Sequence, residues 1–281
     1  MRFAEHRWRW LVGLYCGTVL SCVALQPPPV VLWVLLNAVG FSYVAAATEE
    51  RADPWLSRRG DHRQFALLLL ASPALFWLAP AFTLLPSSAA LSPSHLSRLN
   101  QESSEQTRII WFEGWSSRIE SEGSFWGYVG YTAGCYCLPF FVGLHFTYLD
   151  FVPWLQRIEL NARSLRRFSP SHWLFLAAVF LAALLLAAYF IMLFVSYDIL
   201  LPYLLGVAAV GLPGVAVVLH LVLRRGHSLH VHHYQLFAAL LLPTRFQNAL
   251  SAVLQGLLAG AYVEGVARWG MGPLLIPPPP S

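Results

Sequence analysis

The chain has 281 residues, of which 57% are hydrophobic and only 11% charged, with a mean hydropathy of +0.56 and a formal net charge of +4. A soluble domain carries about 25% charged residues, so 14 acids and 18 bases are too few to clothe a water-facing surface. Every base is an arginine, and most stand beside apolar runs, which argues against a nucleic-acid partner and removes any lysine Schiff-base or P-loop lysine chemistry.

A helix needs about 20 mostly apolar residues to cross about 30 Å of hydrocarbon, and the chain supplies a series of such runs. Residues 8–25 form the first, and the prolines at 27, 28 and 29 then force a turn into a second at 30–47. Together they read as a tight hairpin. The alternative is a cleaved signal peptide, with Arg2, Arg7 and Arg9 before the apolar stretch 11–23 and Ala24 at the cut. A third run, 64–85, carries Pro73 and Pro80, which membrane helices tolerate as kinks. Residues 86–123, rich in Ser and Glu, read as a polar extramembrane loop, and 124–148 as the fourth run.

An amphipathic connector at 150–169 holds Arg157, Arg163, Arg166 and Arg167 between bulky apolar residues, a pattern suited to the membrane interface. The fifth run is 173–195, and the sixth, 199–223, is interrupted by Gly211, Pro213 and Gly214. The pattern then changes. Residues 234–242 are apolar for only nine positions before Pro243, too short to cross as a helix. Either the preceding histidines lengthen this segment, or it is a re-entrant half-helix near residues 231–243, buried in protein. A last run, 249–267, precedes a proline-rich tail at 271–281. The predicted fold is an all-α polytopic transmembrane bundle of seven or eight spans, one integral membrane domain over 1–281.

Arginine asymmetry orients it. Arg2, Arg7, Arg9, the group from Arg51 to Arg63, the connector arginines, Arg224 and Arg225 all fall on one side if the N-terminus is cytoplasmic, or on the equivalent inner side. Only Arg98, Arg108 and Arg118 fall opposite, while Arg245 and Arg268 depend on whether the short segment crosses. Cys16, Cys22, Cys135 and Cys137 all lie in apolar runs, so no disulfide-stapled external module is indicated.

Three sets of residues are candidates for function. His230, His232 and His233, with His145 at the end of the fourth run and His220 at the end of the sixth, could supply imidazoles to zinc, iron, copper or haem. No HExxH motif accompanies them, and interfacial packing is the competing role. Gln255, Glu264 and Arg268 are polar positions in the last run, and Glu264 and Arg268 stand one helical turn apart, placed to pair. Gly256 and Gly260 form a small-xxx-small step for close helix packing.

The string His230-Val231-His232-His233-Tyr234, the run 238–243, Leu254-Gln255-Gly256-Leu257-Leu258 and Ala267-Arg268-Trp269-Gly270 resembles the end of the multi-pass membrane region of LCCL-domain-containing proteins of fungi and protists. Leu138-Pro139-Phe140-Phe141-Val142-Gly143-Leu144 resembles an upstream span of that family. The resemblance covers about half the chain, from Cys137 onward, and implies a membrane-only relative, because no loop here can hold the cysteine-containing LCCL module. It implies no cofactor or reaction. The expected role is a non-catalytic membrane scaffold or complex subunit that meets lipid and a membrane-protein partner or a second copy of itself. A transporter or channel using the broken C-terminal helix, and a metal or haem protein using the histidines, are the alternatives, and the cofactor stays unknown.

Overall fold

The computed structural model describes residues 2–25, 27–49, 61–78, 129–151, 168–196, 200–225, 228–229, 232–244, 246, 248–272 and 274–276. The polar loop at 86–123, His230, residues 152–167 of the connector and the last five residues of the tail lie outside them. The described helices are α1 (Arg2–Ala24), α2 (Pro29–Glu49), α3 (Asp61–Leu78), α4 (Val129–Gly143), α5 (Pro170–Ser196), α6 (Leu200–Arg225), α7 (His233–Leu241) and α8 (Ala249–Trp269). A short 3-10 helix, Phe146–Phe151, follows α4, and the only described strands are two residues each, Ser228–Leu229 and Leu275–Ile276.

Four stretches are long and apolar enough to cross a bilayer: Val30–Ala47, Pro170–Ser196, Tyr203–Arg224 and Ala249–Trp269. The chain is therefore an all-α, multi-pass integral membrane protein. The apolar helices Arg9–Ala24 and Val129–Gly143 are shorter. Where the fourth run was read as continuous to residue 148, the α-helix stops at Gly143 and the chain tightens into the 3-10 turn.

The chain divides into two compact units. The first holds α1–α4, α7 and α8, and its centre is α8, which packs against α2, α3, α4 and α7. Residue choice explains that position. In lipid a leucine gains little by leaving one apolar neighbour for another, so small residues that let backbones approach select the interior. On α8 the buried positions include Ala249, Ala252, Gly256, Ala259, Gly260, Ala261 and Gly265, whereas Trp10 and Leu14 on α1 and Leu70 on α3 are well exposed.

Local chemistry sets the turns. Pro29 opens α2, where its fixed φ suits a first helical position and no N–H is needed. The Pro28 carbonyl accepts from both Val31 and Leu32. Within α4, residues Thr132–Cys137 form a π-helical stretch, with the Leu138 N–H reaching back to the Ala133 carbonyl. Pro139 has no N–H to offer the Cys135 carbonyl, and the widened turn lies directly before it.

Ring contacts and hydrogen bonds fix helix direction in this unit. Trp33 and Asn37 of α2 meet Ser72 of α3, and Phe41 meets Phe65, so α2 and α3 are antiparallel. Trp33 packs on Tyr136 and Tyr43 reaches His145, so α2 and α4 are parallel. Gly256 faces Tyr136 and Gly260 faces Phe140, so α8 runs with α4 as well. Tyr234 meets Tyr262 while Gln255 meets Thr244, so α7 runs against α8. The starts of α1, α3 and α7 and the ends of α2, α4 and α8 consequently gather at one end.

A buried node ties α2 to α3. The Trp33 Nε1–H donates to the Ser72 carbonyl at 3.0 Å, and Asn37 Nδ2 donates to Ser72 Oγ at 3.2 Å. Ser72 Oγ in turn donates to the Leu68 carbonyl at 2.7 Å, directly before Pro73. Trp33→Phe keeps most of the ring volume and removes the indole donor. A loss of about 1 kcal/mol is expected, read as a lower unfolding midpoint of the purified protein in detergent; an unchanged midpoint would show that the bond contributes nothing.

The second unit contains α5, α6 and the paired strands, Ser228 opposite Ile276 and Leu229 opposite Leu275 in antiparallel register. Phe194 and Tyr203 stack with ring centroids 4.3 Å apart, close to the α5–α6 turn. Few residues of these helices are buried: 17% of the α5 span and none of the α6 span.

Candidate functional site

The common end of the first unit carries a group of polar side chains. Glu264, one turn before the end of α8, is fully buried, and its Oε1 lies 2.6 Å from Arg268 Nε. Glu264 and Arg268 stand four residues apart, so one face of α8 holds both. Burial makes the pairing essential, since a lone carboxylate at this position would cost several kcal/mol.

His145 stands just beyond α4. Its Nδ1 lies 2.7 Å from the Phe141 carbonyl oxygen and its Nε2 lies 3.0 Å from the Tyr43 hydroxyl. A carbonyl oxygen can only accept, so Nδ1 carries a proton, and in the neutral ring Nε2 accepts from the Tyr43 O–H. Phe141 packs edge-on against the same imidazole, and Tyr15 packs on both Tyr43 and Phe141. Arg268 is near enough to interact electrostatically with the ring. With both nitrogens engaged, His145 ties the end of α4 to α2.

The other histidines occupy separate places. His232 precedes α7 and stacks on Tyr234, while its backbone N–H donates to Gln235 Oε1 at 2.9 Å. His233 opens α7 and meets Phe237 and Trp269 edge-on. Its ring lies where a side chain on Gly265 would project. His220 is exposed on α6, in the other unit. Among the described residues no three His, Cys, Asp or Glu side chains stand together so as to hold one ion.

Deeper in the unit, Gln255 is fully buried about 20 Å along α8 from Arg268. Its Nε2 donates to the Thr244 carbonyl at 3.0 Å. Here α7 has ended and the chain has left helical geometry. Thr244 donates its N–H and its hydroxyl to the Leu241 carbonyl, and the Asn248 side chain accepts from Ser251 N–H at 2.8 Å to start α8. Thr244, Asn248 and Gln255 are all buried, so these side chains satisfy backbone groups that the break exposes in an apolar setting. Gln255→Leu keeps the bulk but strands the Thr244 carbonyl. The expected cost is about 1 to 3 kcal/mol, visible as faster amide exchange in residues 242–251 with α4 unaffected; unchanged exchange there would show that Gln255 does not secure the break.

Gly256 and Gly260 lie directly against α4. A Cβ on Gly256 would overlap the Tyr136 carbonyl, one on Gly260 the Phe140 carbonyl, and one on Gly143 the Leu257 carbonyl. Backbone therefore rests on backbone along the whole crossing. Family models, curated proteins and solved structures give no match to this chain.

Several participants carry no distinguishing signal in the sequence. Tyr43 and Gln64 fall inside apolar runs, and Thr244, Asn248 and Ser251 look like ordinary loop residues. Only spatial neighbours give them a role.

Proposed function

We propose that this protein is a non-catalytic membrane scaffold or complex subunit. The carrying observation is α6, a long apolar span with none of its residues buried, a face suited to lipid or to another protein's helices. The polar groups of the first unit point the same way, because Tyr43, His145, Gln255, Glu264 and Arg268 are engaged with the chain's own groups. The resemblance to the membrane region of LCCL-domain-containing proteins supports a relative of that membrane region.

The topology we infer has eight crossings, with the N-terminus on the arginine-rich cytoplasmic or equivalent inner face. α1 begins and α8 ends at one end of the first unit, which favours an even count. In this reading the seventh crossing is the half-helix α7, about 13 Å long, together with the chain that joins it to α8. Labelling of residue 2 and residue 272 from the same face supports it, and labelling from opposite faces overturns it.

The functional reading is tested by extracting the tagged protein in mild detergent and measuring particle mass with light scattering. A defined heteromer or homo-oligomer is the expected result. A monomer that conducts a solute in liposomes, or that carries stoichiometric metal or a haem spectrum, would replace the scaffold with one of the other two roles.

A further inference from the structure

After Arg268 the chain makes an abrupt stop. Gly270 adopts φ +72°, a conformation that side chains other than glycine rarely accept, and its N–H closes the last helical turn on the Val266 carbonyl. The next two residues are then held from two sides. The Met271 N–H donates to Gln64 Oε1 at 2.7 Å, joining the strap to the first turn of α3 across 207 residues of sequence. The Gly272 carbonyl accepts from the Tyr234 hydroxyl at 2.8 Å, joining it to α7. Tyr234 is itself oriented by Gln235, whose Nε2 donates to its oxygen at 3.4 Å while its Oε1 receives the His232 N–H. A Cβ on Gly272 would stand 2.5 Å from His232 Nε2, so glycine lets the imidazole lie against the strap.

We propose that residues 270–272 are a latch at the polar end of the first unit, held shut by Gln64 and Tyr234, and that its release frees the last turn of α8 and with it Arg268. Two features make it a latch rather than one more piece of packing. Besides the packing of Met271 on the core, its attachments to other helices are two neutral side-chain bonds to backbone, each of a kind that contributes modestly, whereas the α4–α8 crossing below it is a continuous backbone contact with no space to open. It also begins two residues after Arg268, which neutralises the buried Glu264, so the state of the strap bears on the ion pair. The latch stands on these bonds and does not depend on the scaffold reading.

Hydrogen–deuterium exchange on the full chain in lipid nanodiscs tests it, comparing the wild type with Gln64→Leu, Tyr234→Phe and the double variant. In the wild type, amides at 271–272 should be protected, yet exchange at least 100-fold faster than those of residues 256–262. Each single variant should raise exchange across 266–272 by about tenfold, and the double variant by about a hundredfold, while 134–143 and 256–262 stay as in the wild type. The proposal is overturned if the strap is as protected as the helix core in the wild type, if the double variant leaves 266–272 unchanged, or if protection collapses through 134–143 as well. The last outcome would make the two bonds part of the global fold.

Discussion

Gly260→Val is expected to abolish the folded first unit. Any side chain at this position starts with a Cβ on top of the Phe140 carbonyl, and the neighbouring atoms are Gly143 Cα and the Leu144 nitrogen. Those are backbone atoms of α4 and of Leu144 directly after it, which have no rotamer to change, so relief requires the two helices to separate along the crossing. Overpacking a close-packed interior ordinarily costs about 1 to 3 kcal/mol, and a backbone-on-backbone clash belongs at or above the top of that range. Even Gly260→Ala should lower the unfolding midpoint measurably. By contrast, Gly214→Ala on α6 introduces a methyl where nothing lies within 4 Å and should leave stability unchanged. Fluorescence-detected size exclusion with a thermal ramp reads both. A Gly260→Val protein that elutes and melts like the wild type would show that α8 does not rest on α4 in this way.

Arg268→Ala is the second substitution with a large expected effect. It leaves the Glu264 carboxylate buried without its cation, and breaking one side of a buried pair costs about 3 to 5 kcal/mol. The Arg268 side chain retains some exposure, at 13%, which places the effect at the lower end. The sign of the companion experiment matters more than the magnitude. Arg268→Ala combined with Glu264→Gln removes the stranded charge together with its partner, so the double variant should recover much of what the single variant loses. Arg268→Lys should fall between wild type and Arg268→Ala, because it keeps the charge but not the Nε–H geometry. Equal destabilisation by Arg268→Ala in the presence and absence of Glu264→Gln would mean that the two groups do not act as a pair.

What could be read from the sequence differs from residue to residue, for a physical reason. The four long apolar helices are legible because hydrocarbon sets a length requirement that composition alone reveals. The Glu264–Arg268 spacing is legible because one helical turn brings positions four apart together, whatever surrounds the helix. The glycine step at 256 and 260 announces a close contact without identifying the partner, which the structure gives as Tyr136, Phe140 and Gly143 of α4. The histidines show the opposite case. Their crowding in the sequence suggests a cluster, yet among the described residues no three His, Cys, Asp or Glu side chains stand together, and His145 is bonded to Tyr43 and Phe141.

The sequence by itself determined that this is a multi-pass membrane protein, because apolar length, proline turns and the scarcity of charge act locally and need no knowledge of the fold. It could not determine which ends of the helices share a face, nor that Gln64, Tyr43, Tyr234 and Arg268, scattered over more than two hundred positions, would meet at one of them. Only the tertiary structure decided that. Such meetings depend on whether each helix runs up or down and on which small residues let two backbones touch, and these are properties of pairs of segments that no single segment carries.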